Sequence, residues 1–182
     1  NSPNDLVYNS KGDLYFTDPP YGLAKLNDDP NKDLMFNGVF LRRRTGEVVL
    51  LTRDLTFPNG VALSPDEKTL YVAVSDPARP VIMSYPLKDA GTLEAGAVFF
   101  DASSLTGRAG LPDGRKVDIA GNLFATGPGG VLVLAPDARH LGTIVTGEAV
   151  ANCAWGDDGS TLYLTSGTSL CRVKTLTKGR MP

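Results

Sequence analysis

Four stretches of the chain share one alternation of apolar and polar positions. Each opens with Asn or Asp, continues with a few alternating apolar residues, and turns at a polar, usually Gly-containing segment. Each then runs into a strand-like segment in which Leu precedes an aromatic residue or lies beside one. Alternation with a period of two predicts β-strands, and the polar segments predict the turns between them. The four stretches are residues 4–18, 59–76, 113–127 and 152–166.

The spacing of these stretches predicts the architecture. Their first residues, called the openers below, lie 55, 54 and 39 residues apart. A period of roughly 40–50 residues with strand pairs in each repeat is typical of propeller blades. Helical periodicity does not extend beyond a possible turn in 87–93 and another in 102–105. The openers are Asn4, Asn59, Asp113 and Asn152, and the further predicted strands are 38–43, 48–51, 81–85, 97–100, 130–134, 142–145 and 171–173.

We therefore predict an all-β fold, with residues 1–182 forming a single β-propeller domain of about four blades. The chain begins Asn1-Ser2-Pro3-Asn4 without Met. Because a propeller must close on itself, these blades either close as a four-bladed propeller or form the C-terminal part of a larger one, and the start without Met favours the larger propeller.

Composition and charge restrict the partners. The 20 Gly and 13 Pro suit many short strands joined by turns. A net charge of −2 gives no strong positive field, so neither nucleic acid nor a membrane is an expected partner. Cys153 and Cys171 are too few for a disulfide framework and are interpreted as buried thiols. The compartment, cytoplasmic or periplasmic, stays open.

The openers suggest a site for a hard cation. If each opener begins the innermost strand of its blade, all four ring one mouth of the channel. Oxygen-bearing side chains without Cys or His favour Ca²⁺ over softer metals. The alternative is that the Asn-Gly and Asp-Gly pairs at 59 and 113 are ordinary turns, and the pattern alone leaves both open. The second strands should end near the same mouth, at Asp18, Asp76, Thr126 and Ser166.

Nucleophilic catalysis by a side chain is not indicated. The one histidine, His140, lies in the polar segment 137–141, which we interpret as a hairpin turn. The chain has no G-x-S-x-G elbow, so a Ser–His–Asp triad is not predicted. The Gly-rich segment 127–130 opens no helix and is not a phosphate cradle.

Several motifs resemble the gluconolactonase family, which includes regucalcin. The first is Ser2-Pro3-Asn4-Asp5, followed by GDLYFTDPPYG at 12–22. FPNGV at 57–61, SPD at 64–66 and PDG at 112–114 with KVD at 116–118 follow in the family's order. The segment 152–164 is similar to the family's last blade. Each motif alone is weak, but the combination covers essentially the whole chain.

The resemblance implies a six-bladed propeller with one divalent cation, Ca²⁺ first, with Zn²⁺ or Mg²⁺ as alternatives. By motif, its metal ligands are Asn4, Asn59 and Asp113. A fourth ligand, a Glu, should lie upstream of residue 1, and without it we expect the chain to bind metal weakly or not at all.

The resemblance also implies hydrolysis of a small-molecule sugar lactone by a water that the metal activates. Asp113 is the expected ligand and general base, and Asp18 is the alternative base. Asn4 and Tyr21 are expected to contact the substrate. Regucalcin-like members carry Arg at the position of Ser2. This chain has Ser there, and in this it resembles bacterial-type gluconolactonases.

Two other functions remain open. The same scaffold could hydrolyse organophosphates or aryl esters, or it could be a non-catalytic binding scaffold with a structural Ca²⁺ site.

Overall fold

Four antiparallel sheets make up the computed structural model, which describes residues 1–105 and 107–180. In each sheet consecutive strands are neighbours, as in propeller blades. We number the blades 1 to 4 along the chain. Blade 1 contains β1 (Leu6–Tyr8), β2 (Leu14–Asp18), β3 (Gly38–Arg42) and β4 (Val48–Thr52). Blade 2 contains β5 (Pro58–Leu63), β6 (Thr69–Val74), β7 (Val81–Pro86) and β8 (Ala97–Asp101). Blade 3 contains β9 (Arg115–Val117), β10 (Leu123–Gly127), β11 (Gly130–Leu134) and β12 (His140–Ile144), and blade 4 contains β13 (Val150–Gly156), β14 (Thr161–Ser166) and β15 (Ser169–Lys174).

The predicted all-β propeller fold and its four blades are confirmed, with local corrections. His140 is exposed but begins β12, so its placement in a turn was wrong; the turn lies just before it. Segment 87–93 closes with an isolated bridge between Leu87 and Leu93 and contains no helical turn. Single-turn 3₁₀ helices lie at Leu26–Asp28, where none was predicted, and at Ser103–Leu105, within the second possible turn.

The blades stack through the alternation seen in the sequence. In β6, Leu70 and Val72 pack against blade 1, whereas Tyr71 between them packs against blade 3. In β10, Leu123 packs toward blade 2 and Phe124 toward blade 4. Each fully buried side chain of this size contributes roughly 1.5–3 kcal/mol. Residues with a period of two thus supply both faces of a blade, which explains why β6 and β10 are buried at nearly every position.

The innermost strands bring the openers to one end of the channel. β1, β5, β9 and β13 contact one another in that order. At the opposite end, hydrogen bonds join the turns after these strands to one another and to the C-terminal segment that carries Thr177 and Arg180. Glu67 accepts hydrogen bonds from Ser10 (2.7 Å) and Arg180 (2.9 Å), and Thr177 donates to Asp118 (2.8 Å). The two ends of the channel therefore have different chemistry.

Within residues 1–105 and 107–180, no helix is long and apolar enough to cross a membrane. Both cysteines are free. Cys153 is buried as predicted, whereas Cys171 is only partly buried.

Candidate active site

The start of β5 departs from regular pairing at the second opener. The register between β5 and β6 shifts between Pro58, which pairs with Val74, and Val61, which pairs with Val72. Asn59 and Gly60 lie inside this β-bulge, without regular partners. A bulge re-aims side chains and is frequent next to functional sites. Here it places Asn59 next to the start of the innermost strand of blade 2.

Asn59 is 6% exposed, and only the NH₂ group of its side-chain amide has a hydrogen-bond partner. Its Nδ2 donates to Ser75 Oγ at 2.9 Å, and Ser75 Oγ donates to the carbonyl of Pro112. Asn59 Oδ1 is buried and has no hydrogen-bond partner in the part of the chain that the structure describes. An orphaned buried carbonyl oxygen is costly and is a suitable ligand for a hard cation.

Asp113 is held beside Asn59 by its backbone. Its N–H donates to the carbonyl of Thr126 at 3.3 Å, and its own carbonyl lies against Gly60. Burial raises the pKa of the Asp113 carboxyl from 3.8 to about 6, with Arg115 opposing the rise and Asp5 adding to it. This carboxylate is therefore a stronger base and a better cation partner than an ordinary aspartate.

Arg115 is a buried cation next to this carboxylate. The residue is 0% exposed, and its Nη2 donates to the carbonyl of Asp113 at 3.0 Å. Its Nε and Nη1 have no hydrogen-bond partner among the described residues. Burial lowers the pKa of Arg115 to about 10, opposed by the charges of Asp5 and Asp113. Sequence reasoning missed Arg115, because its place on a short strand reads as an exposed charge.

Asn4 and its neighbour Asp5 have different surroundings. The Asn4 backbone N–H donates to the carbonyl of Thr17 at 2.9 Å, which fixes the chain, while the residue itself is exposed. Asp5 reaches blade 2, because its Oδ2 accepts the N–H of Val61 at 2.8 Å. Asp5 also affects the pKa of Asp113, so this part of blade 1 lies near the site.

Asp18 ends β2, and the groups around its carboxyl differ from those around Asp113. It is buried, and burial raises the pKa of its carboxyl, whereas Asn1 and Lys32 lower it. Asn1 Nδ2 also donates to the Asp18 carbonyl at 3.0 Å. The charged side chain acting on Asp18 is thus Lys32, whereas Arg115 and Asp5 act on Asp113.

Tyr21 reaches the site from the loop after β2. Its ring stacks on Phe57 with centroids 6.2 Å apart, and the residue is 36% exposed. Burial raises the pKa of its phenol, while hydrogen bonds with Ser75 and Asn59 lower it and the charge of Asp113 raises it. Tyr21 thus combines an exposed ring with a hydroxyl beside Asn59.

The remaining opener and the other predicted strand ends have hydrogen-bond partners outside the candidate site. Asn152 Oδ1 accepts the N–H of Cys153 at 2.8 Å, so this opener has no free carbonyl to match that of Asn59. Thr126 donates to the carbonyl of Ala151 at 3.3 Å, and Ser166 donates to Thr146 at 2.7 Å. Asp76 accepts the N–H of Ala78 at 2.9 Å, in the turn after β6.

A cavity of about 530 Å³ opens in the other half of the channel. The segments 6–10 and 61–65 line it together with Trp155 and Arg180. Its lining includes none of Asn4, Asn59 and Asp113, so this cavity and the polar site are separate features.

The cation fit depends on amides as well as carboxylates. Among the residues of 1–105 and 107–180, no group of three or more His, Cys, Asp or Glu could hold a metal. Asn59 Oδ1 and the Asp113 carboxylate belong to segments that are in contact, and both are oxygen groups of the type that Ca²⁺ takes. The residues present therefore fit a hard cation that takes further ligands from elsewhere, water included.

Fold and site together define a β-propeller with an Asn/Asp site at one mouth of its channel. Residues 1–168 match the family described as "SMP-30/Gluconolactonase/LRE-like region". The chain belongs to this family.

Individual relatives agree with the family. The chain is 43% identical over 188 residues to the gluconolactonase of Zymomonas mobilis, covering 98% of this chain and 52% of that protein. It is 32% identical to the structure of a gluconolactonase from Xanthomonas campestris, with a TM-score of 0.81 over 98% of this chain and 57% of the other. Calcium-binding regucalcin from Agrobacterium tumefaciens is 22% identical with a TM-score of 0.74, covering 98% of this chain and 62% of the other, and shares the fold. The chain spans about half the length of the curated gluconolactonase that it matches.

Proposed function

We propose that this protein hydrolyses sugar lactones with the help of one divalent cation, Ca²⁺ first, with Zn²⁺ or Mg²⁺ as alternatives. The observation that carries the proposal is the buried, unpartnered Oδ1 of Asn59, in a segment that packs against the backbone of Asp113. The 43% identity to a gluconolactonase supports a lactone as the substrate. Asn59 and Asp113 would hold the cation, and Asn4, at the exposed start of blade 1, would complete the ligands from this chain.

A bound divalent cation supplies Lewis acidity toward a carbonyl oxygen and lowers the pKa of a water. The chain's own residues provide the rest. Asp113 would take the proton of the attacking water, because a carboxyl with a pKa of about 6 is a competent base near neutral pH. Asp18 is the second candidate for this base, since burial raises the pKa of its carboxyl as well.

Substrate contacts are proposed for Tyr21 and Asn4. The Tyr21 ring is partly exposed and fixed by its stack on Phe57, so it can serve as one wall of the pocket. Its hydroxyl, beside Asn59, can donate to a sugar oxygen. Asn4 has an exposed amide that can do the same.

The proposal is tested by measuring lactone opening with the full-length protein. Glucono-1,5-lactone and a phosphotriester are supplied in excess Ca²⁺, and acid release is followed in a pH-stat. Asp113→Ala should lower kcat/KM by about 10²- to 10⁴-fold, as expected for loss of a general base, and Asn59→Ala by at least about 10- to 100-fold.

The matched control is Asn152→Ala, at an opener whose amide oxygen is already bonded to Cys153 N–H. It should keep the wild-type rate. If both Asn59→Ala and Asp113→Ala also keep that rate, the proposed site is wrong. A higher efficiency on the phosphotriester than on the lactone would replace lactones as the substrate class.

A further inference from the structure

Ser75 lies directly after β6, at a junction of three blades. Its N–H donates to the carbonyl of Phe57 at 3.0 Å, which fixes its backbone. Its Oγ accepts from Asn59 Nδ2 at 2.9 Å and donates to the carbonyl of Pro112. The Tyr21 phenol, from the loop of blade 1, lies beside it. Pro112 precedes Asp113, so one hydroxyl joins Asn59 to the segment that carries the carboxylate.

The direction of this hydrogen-bond chain is determined by its last member. A carbonyl oxygen only accepts, so the single hydrogen of the Ser75 hydroxyl must point at Pro112. Ser75 Oγ can then only accept from its other neighbours. Asn59 must therefore present its NH₂ group to Ser75, and its carbonyl oxygen must point the other way.

The free side of Asn59 is the buried Oδ1 that has no partner among the described residues. A rotation of the amide by about 180° would place two oxygens, Asn59 Oδ1 and Ser75 Oγ, against each other without a hydrogen between them. The Pro112 carbonyl, acting through Ser75, excludes that orientation. The amide thus keeps its oxygen toward the site before any ligand arrives.

We propose that Ser75 is a positioning residue that orients the Asn59 amide so that its carbonyl oxygen faces the cation. This inference rests on the cation site of the proposed function. Ser75 Oγ gives its hydrogen to Pro112 and accepts from Asn59, so its proposed role is to orient a ligand and not to coordinate the cation. Groups that orient metal ligands in this way typically change metal affinity by 10–100-fold when removed.

Calcium binding to the full-length protein tests the inference. The protein is first stripped with a chelator, and Ca²⁺ is then titrated by isothermal calorimetry. Ser75→Ala should weaken the Ca²⁺ Kd by about 10- to 100-fold. Ser75→Thr retains the hydroxyl and should restore the Kd to within about threefold of wild type. At saturating Ca²⁺, the kcat of Ser75→Ala should approach the wild-type value.

The control is Ser166→Ala, which removes a buried hydroxyl from the end of the second strand of blade 4, where its partner is Thr146. It should leave the Kd unchanged. The Tm of every variant is measured in chelator, so that a loss of folding is separated from a loss of binding. If Ser75→Ala does not fold, Ser75→Cys replaces it with the same expected weakening, because a thiol is a poor acceptor.

The outcomes separate the two claims. Wild-type protein that binds no Ca²⁺ overturns the cation site and the role of Ser75 together. Wild-type protein that binds Ca²⁺ with the same Kd as Ser75→Ala overturns the role of Ser75 and leaves the proposed function in place. A Ser75→Thr variant as weak as Ser75→Ala shows that packing, and not the hydroxyl, is responsible, which also contradicts the inference.

Discussion

The backbone of Gly60 lies directly against the carbonyl oxygen of Asp113: a β-carbon added at Gly60 would be 2.0 Å from that oxygen. Gly60 follows Asn59 in the bulge of β5, and Asp113 precedes β9. Two candidate ligands from different blades are therefore brought together by the absence of one side chain. A similar contact joins blades 3 and 4, where a β-carbon at Gly114 would be 2.1 Å from Asn152 Oδ1.

Gly60→Ala should destabilise the protein and separate the two ligands. The obstructing atom belongs to the backbone, so relief requires movement of a strand, and overpacking of this kind costs about 1–3 kcal/mol or more. Denaturant unfolding measures the change. Gly142→Ala in β12 is the control, because a β-carbon there would meet nothing within 4 Å. Equal stability of the two variants would contradict the close contact.

The stability of the cation-free protein should fall between about pH 4 and pH 6. Burial raises the pKa of Asp113 from 3.8 to about 6, so in this window the folded state holds a proton that the unfolded state has released. The favourable contribution is complete below the unfolded pKa and is lost as pH rises through the folded pKa. A shift of this size corresponds to at most about 3 kcal/mol.

Urea unfolding in chelator at several pH values checks this expectation, with Asp113→Asn as the comparison. In the variant, the fall in stability that Asp113 causes should be absent. At pH 7 the variant should therefore be more stable than wild type. Identical pH profiles for wild type and Asp113→Asn would show that burial does not shift this carboxyl.

Arg115→Ala should destabilise the protein by about 3–5 kcal/mol, the usual result of removing one partner from a buried charge cluster. The variant leaves Asp113 without the nearby cation that lowers its pKa, so the Asp113 pKa should rise further. Thermal unfolding and the pH profile above measure both effects. Arg139→Ala is the matched control, because its ion pair with Asp137 is well exposed and should contribute about 0–1 kcal/mol.

The sequence predicted the blades well because each depends on local alternation. The strands at 38–42, 48–52 and 130–134 match their predicted bounds within a residue. Gly60, which follows the opener Asn59, lies against the backbone of the opener Asp113, so these two segments are adjacent. What could not be predicted was how each opener is oriented, because that depends on contacts between blades.

Ser75 shows the physical reason. Alignment of the repeats selected Asp76 as the strand end facing the mouth, but the bulge at Asn59 and Gly60 changes the register of β5 against β6. Ser75 meets Asn59 instead, while Asp76 bonds to the turn at Ala78. The alternation of apolar and polar residues does not reveal where a bulge occurs. Arg115 was missed for a similar reason, since only its packing among Asp5 and Asp113 reveals that its charge is buried.

The most direct test of the proposed function is the metal dependence of lactone opening by the full-length protein. The rate with glucono-1,5-lactone is measured after chelation and again as Ca²⁺ is returned stepwise, in wild type and in Asp113→Asn. We predict that chelation removes the enzymatic rate, that Ca²⁺ restores it with saturation at one cation per chain, and that Asp113→Asn stays inactive throughout. A full rate in chelator, or an Asp113→Asn variant that recovers like wild type, would contradict cation-dependent hydrolysis at Asp113.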